Sequence, residues 1–80
     1  MRLPAGRLIP LNHDLEITVN GETVQLPAGA TVAALVAARG LRPEQVAVEI
    51  NREIVPRVTH ADHALADGDR VEIVTMVGGG

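Results

Sequence analysis

Three consecutive glycines, Gly78-Gly79-Gly80, close the chain, and their main-chain carboxylate is its most evident chemical handle. The usual side-chain nucleophiles are scarce. There is no Cys, Ser, Lys or Tyr, which leaves Thr, carboxylates and three histidines. A glycine run fits a simple flexible end, but it also removes every Cβ from the last stretch. Such a backbone can enter a narrow channel in another protein and adopt conformations closed to other residues. The Gly80 carboxylate then becomes reactive only when a partner activates it, typically by adenylation with ATP. On this reading Gly80 carries the chemistry, and Gly78 and Gly79 give it access to partner active sites.

No other constellation competes. His60 and His63, with Asp62 between them, would need further ligands for a metal site, and only His13 remains; solvated loop histidines are the simpler reading. Asp67 and Asp69 flank Gly68 and match a turn rather than a complete calcium loop. Arg52 and Arg57 flank a short strand and, with Met76 at the base of the tail, are candidate partner contacts. No acid–base constellation marks a small metabolic enzyme.

Composition narrows the classes further. Eighty residues make one domain near the lower size limit for an unstapled core. Without Cys there is neither a disulfide framework nor a thiolate metal site. Phe, Trp and Tyr are absent although 46% of residues are hydrophobic, so the core is aliphatic. All seven cations are Arg, and the net charge of -3 argues against nucleic acid as a partner. No apolar run reaches transmembrane length. The N-terminal MRLPAGRLIP lacks the apolar centre of a signal peptide, so the cytoplasm is the expected compartment.

The elements that must present the tail follow from pattern. Residues 1–14 have two prolines and no period, and read as a flexible leader. Leu15, Ile17 and Val19 alternate with polar residues as a half-buried strand. Asn20-Gly21 then predicts a tight hairpin into Val24 and Leu26. Thr31 reads as an N-cap, worth ~1 kcal/mol, for a helix burying Val32, Leu35 and Val36, with Gly40 and Leu41 as a Schellman ending. Val46, Val48 and Ile50 form a third strand. Asn51-Arg52 turns into the short strand Glu53-Ile54-Val55, and residues 57–66 read as a loop with one helical turn. Arg70 to Val77 completes the set. Because Val74 interrupts the polar side of that last strand, it is expected to be central and buried on both faces. One helix cannot cover both faces of a sheet, so the fold is a two-layer α+β domain over residues 15–77, followed by a flexible tail at 78–80. Strand order stays open.

The segments ITVNGE (17–22), PAGATVAALV (27–36), VAVEINREIVPR (46–57) and LADGDRVEIVTMVGGG (65–80) occur in this order and spacing. Together they resemble the ThiS-type sulfur carriers of thiamine thiazole biosynthesis, a β-grasp (ubiquitin-like) family. The first two segments are common in β-grasp proteins, while INREIVPR and DGDRVEIV followed by VGGG are more specific. The resemblance implies a mixed sheet of four to five strands with one main helix across one face. It also implies a monomeric, non-catalytic carrier with no bound cofactor. An E1-like, ThiF-type enzyme would use ATP to adenylate the Gly80 carboxylate. Sulfur drawn from cysteine by a desulfurase would convert it to a thiocarboxylate, and a ThiG-type thiazole synthase would take that sulfur. Neighbouring β-grasp carriers serve other pathways, such as the small subunit of molybdopterin synthase or a carrier for cysteine or another sulfur metabolite. A ubiquitin-like protein modifier is a further alternative. Where family members often carry an aromatic after the VPR motif, this chain has His60.

Overall fold

The computed structural model describes residues 14–76. Residues 1–13 and 77–80 lie outside the described residues; the leader, the expected strand end at Val77 and the tail glycines Gly78, Gly79 and Gly80 all fall there. In chain order the elements are β1 (Leu15–Val19), β2 (Glu22–Leu26), α1 (Val32–Ala38), a 3-10 turn (Pro43–Gln45), β3 (Val46–Ile50), β4 (Glu53–Val55), a second 3-10 turn (Arg57–Thr59) and β5 (Arg70–Thr75). They build one five-stranded sheet in the order β2-β1-β5-β3-β4. β5 runs parallel to β1 and antiparallel to β3, so the last strand in sequence fills the middle of the sheet. This is the mixed sheet with one helix expected of a β-grasp domain.

Local chemistry sets the ends of the elements. Asn20 (φ 52°) and Gly21 (φ 87°) both take positive φ, the requirement of a two-residue turn whose twist matches its strands. The register that follows pairs Leu15 with Leu26 and Val19 with Glu22. At the helix start the Thr31 hydroxyl accepts a hydrogen bond from the Ala34 N–H at 3.1 Å. Two further N–H groups of the first turn donate to the loop after β4, Val32 to the His63 carbonyl and Ala33 to the His60 carbonyl. At the other end Gly40 (φ 76°) donates to Ala37, and Leu41 donates to Val36 while packing on the core. That double bond pattern is the Schellman ending. A seven-residue helix is too short to hold itself, so packing must keep it. Val32, Leu35 and Val36 press onto Ile17, Val19, Val48, Ile50, Val71 and Ile73 in a single aliphatic cluster.

Two expectations fail. β5 is central, but it is not buried on both faces: Val71 and Ile73 are buried, whereas Val74 is 60% exposed. The reason is the one-helix architecture. α1 covers one face, and the strand's other side chains, Glu72 and Val74, project from the uncovered face. The second failure is His60, expected in solvent and found 2% exposed. Its ring Nε2 lies 3.1 Å from the Val55 carbonyl. A carbonyl only accepts, so Nε2 carries the proton and donates. Nδ1 is buried without a partner. The imidazole therefore acts as a core side chain tying the loop to β4.

Both hairpin asparagines also bind β5, a role the sequence reading missed. Asn20 Oδ1 accepts from the Ile73 N–H at 2.8 Å and its Nδ2 donates to the Ile73 carbonyl at 3.2 Å. The side chain thus continues the parallel β1–β5 ladder beyond the end of β1. Asn20→Gly keeps the left-handed turn but deletes both bonds, stranding two part-buried backbone groups. Urea unfolding is expected to show a loss of roughly 1–3 kcal/mol with an unchanged m-value.

Candidate functional site: the base of the glycine tail

β5 delivers the chain to its C-terminus, and the last described residue is held firmly. The Met76 N–H donates to the Gln45 carbonyl at 2.7 Å, just past the Val46–Thr75 pair of the β3–β5 ladder. Gln45 is fixed in turn. Its N–H donates to the Arg42 carbonyl at 2.8 Å, and its side-chain oxygen accepts from the Arg42 N–H at 2.9 Å. Pro43 opens that turn with a preset φ. Met76 is therefore rooted at the end of the sheet's middle strand and braced by a tight 3-10 turn.

Around that root the uncovered sheet face exposes apolar side chains beside acidic ones. The β3–β5 register sets Ala47 beside Val74, and the β3–β4 register sets Glu49 beside Ile54. Ile54 is 72% and Met76 53% exposed. A depression of about 260 Å³ opens at the same end of the sheet, lined by Pro43, Ile54, Pro56, Arg57, Met76 and buried His60 among others. Of the three candidate contacts, the structure thus brings Arg57 and Met76 together. Arg52 is elsewhere. Its neighbour Asn51 pairs with Arg70 at the start of β5, at the far end of the strand from Met76.

Charge on this face is not self-compensated. Glu49 and Glu72 are directly opposed across β3 and β5, an arrangement of like charges that weakens a sheet. Among the described residues the only ion pair joins exposed Arg42 and Glu44 at 3.9 Å, and such a pair contributes little. Glu72→Gln should raise stability by about 0.2–1 kcal/mol. Because the repulsion is between solvent-accessible charges, thermal melts should show the gain at low salt and little of it at 1 M salt.

The arrangement is a braced strand end beside exposed Ile54, Val74 and Met76. Among the described residues no group of three His, Cys, Asp or Glu could hold a metal ion. The Asp67 and Asp69 carboxylates are occupied in turn formation: Asp67 accepts from Glu16 N–H at 2.7 Å, and Asp69 from Ala66 N–H at 2.9 Å and Asn51 Nδ2 at 3.1 Å. Sequence reading missed Gln45, Ala47, Ile54 and Val74 as surroundings of the end of β5. The available signal was the count of helices, since one helix must leave the alternate residues of β3 to β5 uncovered.

Comparison with known proteins agrees with this geometry. The profile of the ThiS family matches residues 11–80. The chain belongs to the ThiS family. It is 35% identical over 66 residues to the sulfur carrier protein ThiS of Escherichia coli, covering 82% of this chain and 100% of that one. It is also 44% identical over 66 residues to a thiazole synthase of Paramagnetospirillum magneticum; there the match covers 82% of this chain but spans only 20% of the relative's length. Among solved structures, the crystal structure of the thiamine biosynthesis protein ThiS from Geobacter metallireducens superposes with a TM-score of 0.70 at 32% identity. That match covers 82% of this chain and 100% of the other. The ThiS fold, a β-grasp sheet with one helix, is thus the fold of this chain.

Proposed function

We propose that this protein is a sulfur carrier for the thiazole of thiamine, with the Gly80 carboxylate as the carrying group. The observation that carries the reading is a ThiS-family domain whose central strand runs to an anchored Met76, with a side-chain-free glycine run following in sequence. The likeness to the sulfur carrier of E. coli supports it. So does the likeness to a segment of thiazole synthases, which points to a ThiG-type synthase as the acceptor.

The chemistry belongs to the partners. An E1-like, ThiF-type enzyme binds the domain, and the Gly80 carboxylate attacks the α-phosphate of ATP, releasing pyrophosphate and leaving a mixed anhydride with AMP. Persulfide sulfur from a cysteine desulfurase then displaces AMP to give an acyl disulfide, and a thiol reductant cleaves its S–S bond, leaving a disulfide on the donor side and the thiocarboxylate on the carrier. That sulfur is a nucleophile attached to a protein handle, and the synthase takes it. The domain itself performs none of these steps. Gly78 and Gly79 let the chain thread a narrow active site, while Met76, Arg57 and the exposed apolar side chains of the uncovered face offer contact area.

The pathway is tested by deleting the Gly80 codon in the chromosome and asking what restores growth. Rescue by thiamine is expected. Rescue by cysteine instead would move the carrier to another sulfur pathway and contradict the thiazole assignment.

A further inference from the structure

The hairpin between β3 and β4 turns on Asn51 (φ 53°) and Arg52 (φ 74°). In the corresponding turn between β1 and β2 the second position is Gly21 (φ 87°), where the missing Cβ makes that conformation easy. Arg52 has a Cβ and a long side chain, so the same position is strained. No side-chain hydrogen bond or ion pair of Arg52 among the described residues offsets the strain. Arg52 is exposed and forms no ion pair among the described residues. Strain retained without a structural gain is the kind of outlier from which a function can be argued.

What surrounds Arg52 supplies the function. The turn is locked to β5: the Asn51 N–H donates to the Arg70 carbonyl at 2.8 Å, and the Arg70 N–H donates to Asn51 Oδ1 at 3.0 Å. This places Arg52 and Arg70 on the rim of one depression, lined by Asn51, Arg52, Gly68 and Arg70. Arg70 is likewise exposed and outside any ion pair among the described residues. Of the acids beside them in sequence, Asp69 accepts from Asn51 Nδ2 and the Ala66 N–H, and Glu53 and Glu72 form no ion pair with either arginine among the described residues. Two guanidinium groups outside any ion pair among the described residues thus line one depression in a chain whose net charge is -3.

We propose that this depression binds an oxyanion, a carboxylate or a phosphate group, gripped by Arg52 and Arg70. Guanidinium groups present forked donors that match both anions, and a charge-assisted pair is stronger than a neutral one. The site lies at the start of β5 and Met76 six residues beyond Arg70, roughly 20 Å along the strand. Anion binding and tail chemistry can therefore occur together, and the site does not depend on the sulfur-carrier reading.

The test is an amide NMR titration of the full-length, isotope-labelled chain with sodium phosphate and, separately, sodium acetate, each at constant ionic strength. Saturable shifts at Asn51, Arg52, Gly68 and Arg70 are expected with at least one anion, and they should vanish in Arg52→Gly and in Arg70→Gln. Saturation by phosphate alone identifies a phosphate ligand, and saturation by acetate as well identifies a carboxylate. The Arg52→Gly variant should also melt at a higher temperature, since glycine suits the turn, which shows that lost binding is not lost folding. Shifts that grow linearly with both anions, or saturation that survives Arg52→Gly, would overturn the proposal.

Discussion

Removing Gly79 and Gly80 should reduce sulfur loading to background while leaving the unfolding transition unchanged. The two halves of this result rest on different parts of the chain. Loading requires a carboxylate that reaches the activating enzyme's nucleotide, and the truncated chain would end two residues short of that point. Stability draws on the core cluster, whose buried members run from Ile17 to Ile73, and on a ladder that brings β5 to Thr75 with one further bond from Met76. Both lie within the described residues, and a glycine brings no side chain to a core. Loading is read by intact mass after co-expression with the activating enzyme, and stability by a thermal melt followed by far-UV circular dichroism. A truncated chain that melts early would make the tail structural, and one that still loads would place the carrying group elsewhere.

The second large effect concerns the helix. Leu35→Ala should cost about 2–5 kcal/mol, against a total that a core of this size rarely takes beyond about 3–5 kcal/mol. The substitution isolates packing. Alanine is the better helix former, and the caps at Thr31 and Gly40 are untouched, so local helix propensity rises while the contact with the sheet is lost. Leu35 is 2% exposed and is the largest side chain that α1 places in the core. With no Phe, Trp or Tyr in the chain, the core neighbours left to fill the space are aliphatic. Urea unfolding should show a population already partly unfolded without denaturant. A loss below about 1 kcal/mol would mean that the helix is held by its caps and loop bonds rather than by this side chain.

What the sequence could and could not show divides along a physical line. Asn20-Gly21, Thr31 and Gly40 were legible because their bonds close within a few residues, and residue type alone decides them. The two-layer class was legible from one helical period among strand periods. Strand order was not, because the pairing of β5 with β1 joins segments some fifty residues apart in the chain, and alternation says nothing about neighbours. Val74 was misjudged for a related reason. An apolar residue on the polar side of a strand signals either burial or an exposed contact surface, and only the position of the helix decides between them. His60 was misjudged because burial of an imidazole needs just one acceptor, here the Val55 carbonyl, and a pattern cannot reveal that acceptor. The roles of Gly78, Gly79 and Gly80 come from residue type and family, and they rest on chemistry outside the described residues.

The central claim is that the Gly80 carboxylate accepts sulfur. The most direct measurement is the intact mass of the full chain purified after co-expression with its activating enzyme and a cysteine desulfurase, followed by fragmentation of the C-terminal peptide. The account predicts a mass increase equal to replacing one oxygen by sulfur, located at Gly80 and absent without the activating enzyme. An unchanged mass under those conditions, or covalent attachment of Gly80 to other proteins in place of sulfur, would contradict it.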